Sequence, residues 1–236
     1  MYEKLEQLIN DLEAMKSHPF IGYGNPDANI LIVGKECAFS ENSDVWNKFY
    51  KPNFIQWKES FEGHGFSYTS GNEPYDFGHG NFHPIFPFFE QRNKRGKNKG
   101  DTSATYYYYQ RLIDMVRAGS ATQYEKFPNI DFFKDCFITE LNDICRPNDN
   151  GLSKVQHVEI ENHIRERFDW MRRTNFFNQF KVVILACGPY ANAIKRDEKL
   201  KTDLFGEAFV VYCHQLSYWD KSLEGKIVEI CEKLCS

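Results

Sequence analysis

Three polar residues stand just beyond short apolar runs, where a folded chain can present them to a ligand. Glu36 follows Ile30-Leu31-Ile32-Val33-Gly34-Lys35, Asn142 closely follows Cys136-Phe137-Ile138-Thr139, and His214 directly follows Phe209-Val210-Val211-Tyr212-Cys213. A carboxylate in such a place can orient and deprotonate a water. An imidazole can stabilise developing negative charge. A primary amide presents a donor and an acceptor side by side. Each also has a plainer reading. Glu36 could charge the first turn of a following helix. Asn142 and Asp143 could simply end a strand, and a lone His is commonly structural or exposed.

The segments around these residues alternate in period. Leu5, Leu8, Ile9, Leu12 and Met15 predict an amphipathic helix over 2–15. Gly22 to Asp27 reads as a turn cluster. The run Ile30–Val33, ending in Gly34, is too short for a helix and reads as a buried strand. A helix is expected over 104–117, a strand within 132–141, a helix over 155–180, a strand over 181–186, a helix over 190–196, a strand over 209–213 and a closing helix over 221–234. Strands alternating with helices imply βαβ units and a parallel sheet with helices on both faces. In such sheets ligands bind beyond the carboxyl ends of the strands. That rule selects Gly34–Phe39, Asn142–Asn150 and His214–Tyr218. The stretch from Ser40 to about Thr105 has poor periodicity and predicts a long excursion with short helices.

Composition narrows the class. The chain has 236 residues, with no internal repeat and no linker, and reads as one domain over 1–236. Aromatic residues make up 16%, so much of the core should be aromatic. The formal net charge of -4 argues against tight non-specific duplex binding, although a local patch could offset it. Such a patch lies in Gln91–Gly100, where Arg92, Lys94, Arg95, Lys97 and Lys99 occur without an acid. It is either a solvated loop or a phosphate-contacting one. Seven scattered cysteines suggest a reducing, cytoplasmic setting, with no secretory leader and no membrane-spanning run. Cys231 and Cys235 have helical spacing but read as an amphipathic tail rather than metal ligands. His79, His83 and Glu90 likewise read as a polar loop. Tyr106–Tyr109 point around a whole helix, so at least half should be packing residues.

Four segments, taken in order, carry a resemblance. They are Gly22-Tyr23-Gly24-Asn25-Pro26-Asp27-Ala28-Asn29-Ile30 through Gly34; Phe137-Ile138-Thr139 with Ile144-Cys145-Arg146-Pro147 and Asn150; Val182–Cys187 with Gly188-Pro189-Tyr190-Ala191; and Val211-Tyr212-Cys213-His214-Gln215-Leu216-Ser217. Together the chain resembles the uracil-DNA glycosylase superfamily, and in motif order its bacterial iron–sulfur class. The loop Gly34-Lys35-Glu36-Cys37-Ala38 departs from the family form, which places Glu directly after the Gly and then has Pro and Gly. The loop after His214 has Gln215 and Leu216 where the family has Pro and Ser.

The resemblance implies a three-layer α/β/α sandwich around a central, mainly parallel four-stranded sheet. It implies a hydrolase that excises uracil or a related damaged base from DNA. Glu36 would handle the water and His214 would stabilise the leaving base. Asn142, Gly34, Phe82 and Phe86 would hold the flipped base. Arg92, Lys94, Arg95, Lys97, Lys99 and Ser217 would contact the DNA, single-stranded or uracil-containing, and the protein would act as a monomer. No cofactor is expected. An iron–sulfur cluster needs four ligands, and only Cys145 matches the family pattern, with His163 standing where a later Cys would be. The altered loops and acidic charge keep open a different class, a catalytically inactive nucleic-acid- or nucleotide-binding domain of the same fold.

Overall fold

A continuous apolar strand needs cover on both faces, and Ile30–Val33 obtains it at the centre of the sheet. The computed structural model describes residues 3–17, 19–36, 47, 51–60, 73–74, 81–82, 85–92, 104–126, 128–144 and 154–236. In chain order the strands are β1 (Tyr23–Gly24), β2 (Ile30–Glu36), β3 (Glu73–Pro74), β4 (Asn81–Phe82), β5 (Cys136–Asn142), β6 (Val182–Ala186) and β7 (Phe209–Tyr212). The main sheet has the order β1-β5-β2-β6-β7, and β3 and β4 form a separate two-stranded sheet. Neighbours from β5 to β7 run parallel, whereas β1 runs antiparallel to β5.

The fold is thus α/β, but its sheet is five-stranded and mixed rather than the expected four. The extra strand comes from the turn cluster. Gly22 and Gly24 have φ of 142° and 99°, and a Cβ on them would lie 2.2 Å from the Ile138 carbonyl oxygen and 2.4 Å from that of Cys136. Only glycine allows this backbone to lie so close to β5.

The helices are α1 (Glu3–Ala14), α2 (Asn53–Glu59), α3 (Ala104–Ala118), α4 (Lys154–Thr174), α5 (Asn192–Arg196), α6 (Glu198–Phe205) and α7 (Ile227–Cys235). Helix α4 stops well before the expected residue 180. Asn175 just beyond it adopts the left-handed region at φ 56°, a common way to end a helix, and a 3-10 turn follows over Phe177–Gln179. The expected closing helix begins as a 3-10 turn over Lys221–Lys226. The segment after β6 opens with a 3-10 turn over Gly188–Ala191, before α5. Helix α6 has no counterpart among the helices expected from sequence. It is capped by the Asp197 carboxylate, which accepts from Leu200 N–H at 3.0 Å, and ends at Gly206 with φ 60°. No described helix is long and apolar enough to cross a membrane.

Aromatic side chains dominate the interior. Phe137 packs against Trp57, Phe176 and Phe180. Helix α2 is fastened beside β1 by buried Asn53, whose side-chain oxygen accepts from Ile21 and Gly22 N–H and whose amide donates to the Gly22 carbonyl. Trp57 Nε1 donates to the same carbonyl at 2.8 Å. Of the four consecutive tyrosines, Tyr106, Tyr108 and Tyr109 are buried in the core and Tyr107 is partly buried against it.

The strand order fixes where a ligand can sit. The chain leaves β2 toward β5 and leaves β6 toward β7, which is the opposite direction. The boundary between β2 and β6 is therefore a topological switch point, where connections diverge and a crevice opens beyond the carboxyl ends.

Candidate functional site

Glu36 is the last residue of β2 and stands at that switch point. Its side chain is only 5% exposed, so its charge must be satisfied by protein groups. Three elements do so. Asn142, its register partner on β5, donates from Nδ2 to Glu36 Oε2 at 3.0 Å. Tyr190, in the turn after β6, donates its hydroxyl to the same oxygen at 2.7 Å. Lys35 Nζ lies 2.9 Å from Oε1 and 5.0 Å from the centre of the Tyr190 ring. A carboxylate held by a cation and two donors is fixed in direction, as a group that orients a water requires.

Asn142 is 1% exposed and uses both ends of its amide, because its oxygen accepts from Ile144 N–H at 3.2 Å. In this arrangement the amide faces Glu36. Gly34 lies one pleat below. A Cβ there would come within 2.3 Å of Glu140 Oε2, so the close approach that Gly34 permits is by the Glu140 side chain.

Glu140 was not singled out in the sequence, yet it is the most unusual group nearby. It sits within β5, is 7% exposed, and among the described residues its Oε2 has no hydrogen-bond partner. Burial, reinforced by the negative charge of Glu36, raises its carboxyl to about 8 despite the opposing pull of Arg167. Tyr109 of α3 lies near the same carboxyl, and burial together with Glu140 pushes its phenol well up. A charged residue in an otherwise uncharged and wholly buried strand was the available signal for Glu140. Tyr190 could have been found from its place directly after Gly188-Pro189 at a strand end.

Across β5 lies a second polar group. Arg167 of α4 is 3% exposed and pairs with Asp143 at 3.1 Å. It also donates to the Phe20 carbonyl at 2.6 Å, the Thr139 hydroxyl at 3.0 Å and the Glu140 carbonyl at 3.3 Å. Asp143 further meets His163 Nε2 and accepts from Phe20 N–H at 3.2 Å. Burial works to raise the Asp143 carboxyl, but Arg167, His163 and the Phe20 N–H together hold it down at about 2.

His214 follows β7 at the same carboxyl edge, with β6 between it and Glu36. By strand spacing alone the two are on the order of 10 Å apart. The side chain is exposed, its backbone N–H donates to Asp220 Oδ2 at 2.8 Å, and its ring lies 6.1 Å from that of Tyr218. It borders a cleft with Pro189, Lys195, Tyr212 and Ser222. Among the described residues no hydrogen bond joins His214 to Glu36. Ser217 is exposed in the turn that follows.

The remaining expected residues lie elsewhere. Phe86 is buried against Phe133, three residues before the start of β5 and so at the amino end of the sheet. Arg92 bridges to Asn129 and borders a cavity with Gln110, Asp114, Arg117, Glu125 and Asp131, again near the lead-in to β5. The one described basic residue of that loop thus borders Asp114, Glu125 and Asp131 near the lead-in to β5, at the other end of the sheet from Glu36. Phe82 belongs to β4, but its side chain lies outside the described residues, as do Lys94, Arg95, Lys97, Lys99, Cys37, Cys145, His79 and His83. Among the described residues no group of three His, Cys, Asp or Glu could hold a metal ion.

The site therefore gathers Glu36, Asn142, Gly34, Glu140 and Tyr190 across β5, β2 and β6, with His214 one strand further on. Comparison of the chain with protein-family models and with characterised proteins gives no match.

Proposed function

We propose that the chain is a hydrolase of nucleobase–sugar bonds, of the uracil-excising kind, with Glu36 as its water-handling base. The observation that carries this reading is the Glu36 carboxylate, pinned by Asn142 and Tyr190 at the switch point of a parallel sheet. Cleavage of a base–sugar bond develops positive charge on the sugar and negative charge on the departing base. An anionic carboxylate serves the first, both by electrostatics and by accepting a proton from water. His214 serves the second by donating to a carbonyl oxygen of the base. Their separation leaves room for a sugar beside Glu36 and a base toward His214. DNA as the partner, a monomeric state and the glycosylase-like layering belong to this same reading. The layering is supported by the run of parallel neighbours β5-β2-β6-β7.

A second reading is supported by one observation. The Asn142 amide is already engaged at both ends and His214 makes no described contact with Glu36. A domain that binds nucleotides without cleaving them would be built the same way. Incubation with single-stranded and duplex oligonucleotides carrying uracil, followed by alkaline cleavage of abasic sites, tests the choice. Strand breaks with the wild type that vanish with Glu36→Gln support the hydrolase. Retention of single strands without breaks supports the binding domain.

A further inference from the structure

The carboxyl group of Glu140 lies over the backbone of β2 at Gly34, on the sheet face that also carries Glu36. Glu36 is register-paired with Asn142, two residues beyond Glu140. The two carboxyls are therefore diagonal neighbours across one pair of strands. Among the described residues Glu36 takes Lys35, Asn142 and Tyr190 as partners, and Glu140 Oε2 takes no hydrogen bond. Among the described residues the groups facing Glu140 are few. Glu36 comes from β2, Tyr109 from α3 and Cys187 from the end of β6, all of which are anionic or neutral. The one cation among them, Arg167 of α4, touches the Glu140 main chain and is ion-paired with Asp143. Two buried carboxyls share this face, one with a lysine and two donors in direct contact and the other with only the more distant pull of an arginine already paired to Asp143, so ionising both at neutral pH is strongly disfavoured.

We propose that Glu140 is a positioning residue that holds a proton beside Glu36, so that the couple carries one negative charge and that charge rests on Glu36. Gly34 is required because any side chain would evict the protonated carboxyl. Loss of this proton in alkaline solution places a second charge against Glu36, weakens its contacts with Asn142 and Tyr190, and switches the site off. The switching role rests on the reading of Glu36 as the working base, whereas the proton count does not.

The test follows the glutamate side-chain carboxyl carbons by 13C NMR from about pH 3 to about 10 on the full chain labelled at glutamate, an interval chosen to bracket the raised and the ordinary carboxyl. One carboxyl is expected to titrate near 8 in the wild type and to be missing from Glu140→Gln. In Glu36→Gln the same titration should move to lower pH, because the neighbouring charge is gone. That second variant keeps the test decisive if Glu140→Gln does not fold. A wild type in which every glutamate titrates below about 6, or an alkaline titration indifferent to Glu36→Gln, overturns the proposal. With excision measured in parallel, an alkaline fall near 8 should be absent from Glu140→Gln. If no excision occurs but the coupled titration is seen, the hydrolase reading fails and the proton-holding couple stands.

Discussion

Asn142 donates its side-chain amide to the Glu36 carboxylate across directly paired positions of β5 and β2, at 3.0 Å. Replacing that donor with a carboxylate should set two negative charges against each other in a nearly closed space. Asn142→Asp is therefore expected to be less stable by about 1–3 kcal/mol, the cost of an unsatisfied buried group. Urea denaturation at neutral pH measures this, with Asn142→Ser as the uncharged control. Equal stability of the two variants would show that Glu36 does not feel position 142.

Catalysis, where excision is detected, should depend on both strand-end groups. His214→Ala is expected to slow it about a hundredfold, the scale of losing one preorganised donor. Glu36→Gln should be slow as well, since an amide can hold a water but cannot accept its proton. His214 is exposed, so circular dichroism of His214→Ala should match the wild type. Two fully active variants would remove both residues from the mechanism.

The Arg167–Asp143 pair predicts an acid limb in stability. The folded Asp143 carboxyl is held at about 2, below its ordinary value of 3.8. A lowered carboxyl contributes stability above 3.8 that is lost as pH falls through 2. Asp143→Asn should flatten that limb. It should also cost about 3–5 kcal/mol at neutral pH, because Arg167 is left as a buried charge without its counter-ion. Chemical denaturation of both proteins between about pH 2 and 7 checks the two effects together.

Glu140 predicts the opposite slope. Its folded carboxyl is raised from 4.5 to about 8. The stabilisation is complete below 4.5 and is lost progressively as pH rises to 8. Relative to Glu140→Gln, the wild type should therefore weaken across that window. Gly34→Ala should be destabilised at every pH by about 1–3 kcal/mol, the usual cost of forcing a group into filled space.

The basic loop gives a binding prediction. If Arg92, Lys94, Arg95, Lys97 and Lys99 neutralise phosphates, their joint replacement by Ala should flatten the salt dependence of DNA binding, because fewer counterions are then released on association. The acidic surroundings of Arg92 make an unchanged slope for Arg92→Ala alone the expected result.

The sequence revealed most of the scaffold because apolar runs and helical spacing are local signals. Ile30–Val33, Cys136–Thr139 and Val182–Ala186 all lie in strands, and Leu5, Leu8, Ile9 and Leu12 all face the core. What it hid depends on partners far along the chain. Tyr23–Gly24 is a strand only because β5 lies alongside, and no local pattern in two residues announces that. Glu140 reads as the one charged residue of a strand, and its meaning appears only when Gly34 lies opposite. Phe86 looked available for stacking, but Phe133 had already claimed it. Asn175 ends α4 by its backbone conformation, which the apolar spacing that extended the expected helix to residue 180 does not register.

The hydrogen bonds that hold Glu36 reach residues 106 and 154 positions away. Closing loops of such length costs conformational entropy that a single hydrogen bond does not offset, so the packing of the sheet must supply the difference. The carboxylate therefore keeps its partners only while β5, β2 and β6 lie side by side. Otherwise Glu36 is an ordinary solvated acid at the end of an unfinished strand. A chain stalled before β6 docks would retain secondary structure and collapse around its aromatic residues while lacking any assembled site, so chemistry at Glu36 would report completed folding rather than partial order.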